Sequence, residues 1–148
     1  MEADRLQGLL LDDKEFQLER EVVKEERRLR VEDVPPAYLV EQMYAQAFMT
    51  HPYHWPIIGW FTDLDAMNRP DLKAYSEKYY APNNATLVIV GDVKAETALP
   101  LIRKYFEGLP MGNPPPPASV IEPEQKGERR VVVKREAQLP FIYFGYKV

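Results

Sequence analysis

Residues 13 to 30 read DKEFQLEREVVKEERRLR. Leu18, Val22 and Leu29 recur at three-to-four-residue spacing, with Glu25 filling the one gap, so a narrow apolar stripe runs along an otherwise charged surface. The pattern predicts a long amphipathic helix whose stripe faces a core. Asp13 and Glu15 make its first turn acidic and Arg27, Arg28 and Arg30 make its last turn basic, the polarity that a helix dipole favours. Glu19 and Glu26 are two turns apart, so both carboxylates leave the helix at nearly the same azimuth, about 10.5 Å from each other, and flank the stripe. At that separation they cannot both bind one ion, because a zinc–oxygen bond is only about 2.0–2.2 Å. A metal would take one as ligand and leave the other as a positioning group. The same residues also fit a solvated face in which Glu21 and Glu25 are set against Arg20 and Lys24, and spacing alone favours that plainer reading.

The rest of the chain is ordinary in bulk. Its 148 residues are 45% hydrophobic and 28% charged, enough for one sizeable core. A formal net charge of −4 argues against a nucleic-acid groove or an anionic membrane surface. With no cysteine there is neither a disulfide framework nor a thiolate nucleophile or ligand. No apolar run approaches the roughly 20 residues of a membrane span.

Working outward from the helix, Glu2 to Leu11 reads as a short helix, with Asp12 or Asp13 capping the long one. Pro35 and Pro36 separate it from the next helix, expected over Ala37 to Met49 with Val40, Met43, Tyr44, Ala47 and Phe48 inward. His51-Pro-Tyr-His-Trp-Pro reads as an ordered aromatic loop. There His51 would cap the preceding helix and His54 sit in the polar loop, since H-x-x-H without a third neighbour is a weak metal signal. A one-turn helix follows at Thr62–Asp63, then one capped by Asn68 with Leu72, Tyr75 and Tyr79 inward. Ala85 to Val90 is an unbroken apolar run expected as a buried strand, and Lys94 to Phe106 a helix stopped by Gly108. Pro110 to Pro123 reads as a semi-rigid linker, and Glu128 to Glu136 and Pro140 to Val148 as two strands. The fold class expected is α+β, with helices packed on one face of a largely antiparallel sheet centred on Ala85–Val90. An exposed FIYFGY strand would favour self-association through a strand edge.

Taken together, the E-x-x-x-x-x-x-E helix, AFMTHPYHWPIIG, the Y-x-x-P-N-N-A turn, the run ending Gly-Asp-Val and the closing KYFEGLP resemble, in that order, the pitrilysin/insulinase family of zinc metallopeptidases. In that family an inverted H-x-x-E-H motif supplies two histidine ligands and the general base, and a downstream Glu supplies the third ligand. The resemblance implies Glu26 as that metal ligand and Glu19 as the acidic partner in the catalytic site. It also implies zinc as cofactor, an extended peptide as substrate, and a second homologous half as partner. No H-x-x-E-H occurs in the sequence, whose only histidines are His51 and His54. The expectation is therefore an internal fragment, 1–109 the C-terminal part of a peptidase domain, 110–127 a linker, and 128–148 the opening strands of the following homologous domain. By itself it should neither hold zinc tightly nor cleave peptides. The alternative is a non-catalytic homologue that binds peptides or a partner subunit, and a purely structural domain is a third reading. The residues do not indicate a compartment, and the bacterial periplasm or cytoplasm is the expectation.

Overall fold

The computed structural model describes residues 1–147. Its regular elements are helices: α1 (Glu2–Arg5), α2 (Asp13–Arg27), α3 (Pro35–Ala47), α4 (Phe61–Ala66), α5 (Arg69–Tyr79) and α6 (Ala95–Phe106), with short 3-10 turns at Pro52–His54 and Pro82–Asn84. No helix is long and apolar enough to cross a membrane among the described residues. Helical residues make up 49% of the chain, and the described residues form no strand. The described residues are all-helical in their regular structure, and the expected α+β sheet is absent among them.

The reason is partnership. A strand exists only where a neighbour completes its hydrogen-bond ladder, and β-branched residues stabilise it by packing on a covered face. Ala85–Val90 meets neither condition, with Val88 and Val90 73% and 91% exposed, and Phe141 to Tyr146 is likewise uncovered.

Two compact units divide the chain. The first joins Met1–Phe16 to Met67–Pro117. Helix α1 ends at Arg5, short of the expected Leu11, with the amides of Gln7 and Gly8 sharing the Asp4 carbonyl. Asp12 is the residue that caps α2, its Oδ1 accepting the amides of Lys14 and Glu15 at 2.9 and 3.2 Å. Asn68 caps α5 reciprocally with Asp71, as its sequence position predicted. Near Ala81, which is buried, the Asn83 amide group bonds both the N–H and the C=O of Gly112. A Cβ on Gly112 would lie 2.4 Å from that of Ala81, so only glycine allows this approach.

The second unit joins Gln17–Ala66 to the chain from Ala118 onward. In it α2 continues past Arg27 as a π-helical turn, Arg28–Glu32, closed by the Asp33 amide on the Arg28 carbonyl at 2.9 Å. Val34 is extended and the prolines occupy the first turn of α3. The orientation of α2 also departs from expectation. Leu18, Val22 and Leu29 are 54%, 60% and 64% exposed, while Phe16 and Arg27 are buried. Phe16, Arg20, Val23 and Arg27 recur at helical spacing, so the inward face is centred on an arginine and lies opposite the predicted stripe.

Candidate functional site

Glu19 and Glu26 both lie within the unbroken α2, seven residues apart and on one side, between the exposed stripe and the buried face. Glu19 is exposed and makes no ion pair among the described residues. Glu26 is half-exposed, with the Arg30 guanidinium one turn on at 3.1 Å from its Oε1. That neighbour is solvated and the pair is of the weakly held i,i+4 kind, so the Glu26 carboxylate is available to a stronger electrophile.

Immediately beside Glu26, Arg27 is held as firmly as any side chain in the unit. Its side chain is 3% exposed. The guanidinium donates from Nη1 and Nη2 to the two oxygens of Glu41 on α3, both at 2.8 Å, in the bidentate fork that suits a carboxylate. Nη1 also reaches the Gly59 carbonyl at 2.7 Å, and Nη2 the Glu32 carboxylate at 3.0 Å. The rings of Trp60 and Phe61 lie 5.8 and 5.7 Å from its centre. Hydrogen bonding to Glu41 raises the Arg27 pKa above its already high usual value, so the cation is permanent. Gly59 supplies its carbonyl from a backbone at φ +87°, a region that side chains disfavour. The end of α2, the π turn, α3 and the loop at Gly59 are thus tied to one cation, and Glu26 is carried on the residue next to it.

The sequence reading placed Arg27 among the last-turn basic residues and gave Glu32 and Glu41 no role. The signal was present in the phase of the helix: Arg27 follows Phe16 by eleven residues, which is three turns and the same face. The histidines also exchange roles. His51 caps the 3-10 turn, its Nδ1 accepting the Tyr53 amide at 3.1 Å, and His54 closes α3, its Nδ1–H donating to the Ala45 and Phe48 carbonyls at 3.0 Å. Neither joins the two glutamates in a site.

A catalytic zinc needs three protein ligands and an open position. Among the described residues no group of three or more His, Cys, Asp or Glu side chains could hold a metal. These residues do not fit a zinc ion by themselves.

Comparison with known proteins identifies the family. Residues 66–148 match the Peptidase M16 inactive domain, and the chain belongs to the M16 peptidases, the pitrilysin/insulinase family. It is 36% identical over 149 residues to zinc protease PqqE of Helicobacter pylori, a match covering 99% of this chain and 34% of that one. The mitochondrial-processing peptidase subunit beta of Lentinula edodes is 26% identical over 151 residues, again 99% of this chain and 32% of the relative. The crystal structure of a protease from Helicobacter pylori superposes with a TM-score of 0.68 at 35% identity, over 80% of this chain and 29% of that one. The chain therefore spans about a third of the length of these curated relatives.

Proposed function

We propose that this chain is part of a zinc metalloendopeptidase and supplies Glu26 as the third zinc ligand, with Glu19 as the neighbouring acidic group. The observation that carries the reading is the pairing of an accessible carboxylate with a buried anchor: among the described residues Glu26 pairs with solvated Arg30, while Arg27 fixes the backbone beneath it. A ligand needs a free oxygen and a rigid mount, and a helix ending in this cluster provides both. The remaining ligands and the general base would come from residues outside this sequence, consistent with zinc protease relatives about three times as long. The substrate class is an extended peptide, and a second homologous half is the structural partner.

A second reading is favoured by one observation, the description of the matched domain as inactive. In that reading the protein is a non-catalytic member that binds peptides or a partner subunit. An internally quenched peptide assay on the full-length protein separates the two. Cleavage lost in Glu19→Gln and Glu26→Gln, with the fold retained, is expected of the peptidase. Absence of cleavage in the wild type, in a gene with no H-x-x-E-H upstream of these residues, would establish the non-catalytic member.

A further inference from the structure

Within the second unit, the segment after the Pro-rich stretch is fastened to α3 by charged hydrogen bonds at several points. The Glu122 carboxylate accepts the amide N–H groups of Met49, Thr50 and His51 at 2.9 Å each, the Thr50 hydroxyl at 3.1 Å and the Lys147 ammonium at 2.9 Å. Seven residues on, Arg129 Nη1 donates to the Gln46 and Ala47 carbonyls at 2.7 and 2.8 Å. Arg135 bonds the carbonyl and carboxylate of Glu32 and lies 4.0 Å over the Tyr38 ring. The arrangement has a simple electrostatic logic. The C-terminal carbonyls of a helix lack intrahelical donors and attract a cation, and the amides just beyond them lack acceptors and attract an anion. With His54 on Ala45 and Phe48, the last carbonyls of α3 and the amides that follow are all satisfied.

The segment buries little apolar area: Ile121 is 89% exposed and Val132 73%, while Val131 and Val133 are half-buried. Hydrophobic burial would hold such a segment continuously, whereas charged hydrogen bonds hold it at discrete points that break without opening a core. Desolvation opposes ionisation of Glu122, and the three amides and Lys147 outweigh it, leaving its pKa far below the ordinary carboxylate range.

We propose that residues 121–135 form a releasable latch, with Glu122 as its catch on the Met49–His51 amides and Arg129 and Arg135 as its side clasps. Release frees the segment following the Pro-rich stretch while α3 stays folded. The Glu32 clasp connects the latch to Arg27, so the latch also bears on the end of α2.

Hydrogen exchange with mass spectrometry on the full-length protein tests this. In Glu122→Gln, exchange of the Met49–His51 amides should rise on the order of tenfold or more, as expected when charge-assisted acceptors are lost, with the protection of α3 unchanged. Glu124→Gln is the control, its carboxylate being paired with Lys126 on the same exposed segment, and it should exchange as the wild type. Arg129→Gln should speed tryptic cleavage after Lys126. Unchanged exchange in Glu122→Gln, an equal effect in Glu124→Gln, unchanged cleavage in Arg129→Gln, or loss of protection throughout α3 would each overturn the latch.

Discussion

Replacing Arg27 with methionine keeps the length and apolar volume of the side chain while removing the cation. Glu41, whose side chain is 8% exposed, then loses both of its 2.8 Å charged hydrogen bonds, and Glu32 and the Gly59 carbonyl lose one each. A buried ion pair contributes little net stability compared with an apolar pair, but removing one partner strands the other, which costs about 3–5 kcal/mol. At about 1.36 kcal/mol per tenfold, the ratio of unfolded to folded protein should rise by roughly two to four orders of magnitude. Urea denaturation followed by fluorescence is suited to the measurement, since Trp60 lies 5.8 Å from the guanidinium and reports on the site directly. Adding Glu41→Met should recover most of the loss, because the stranded charge goes with it and two methionines can pack against Trp60 and Phe61. A cost below about 1 kcal/mol for Arg27→Met, the range of a surface pair, would refute the idea that this cluster anchors the end of α2. So would a double variant no more stable than the single one.

Other outcomes follow from single contacts. Gly59→Ala forces a Cβ into a left-handed backbone and should cost about 1–2 kcal/mol by thermal unfolding, as strain at one residue does. Asn68→Ala removes the reciprocal cap of α5 and should cost about 1 kcal/mol in the same assay. For Glu122 the folded pKa is depressed, so its contribution to stability is complete above the unfolded value near ~4.3 and fades as pH falls below that. Wild type should therefore lose stability between about pH 5 and 3 more steeply than Glu122→Gln, and parallel curves would exclude an ionised catch.

The sequence was legible where local rules decide structure. Helical periodicity located the helices; Asn68 and the Pro35–Pro36 pair marked the starts of α5 and α3, and Glu19 and Glu26 lie on one helix as their spacing required. It was misleading where partners decide. Ala85–Val90 has the composition of a buried strand, yet composition carries no ladder partner, and the run stays uncovered. The face of α2 was misjudged because Leu18, Val22 and Leu29 outweigh one arginine on any hydropathy scale, whereas Arg27 is buried through Glu41, fourteen residues away. The clasp of Glu122 on Met49–His51 spans more than seventy residues, and local pattern is silent on contacts at that range.

The central claim is that Glu26 is a metal ligand, and zinc content tests it most directly. Full-length wild type, Glu26→Gln and Arg30→Gln should be dialysed against metal-free buffer and assayed for bound zinc by mass spectrometry. The account predicts stoichiometric zinc in the wild type and in Arg30→Gln, whose side chain only rests against the ligand, and loss of zinc in Glu26→Gln with the fold intact. Stoichiometric zinc retained by Glu26→Gln would contradict it.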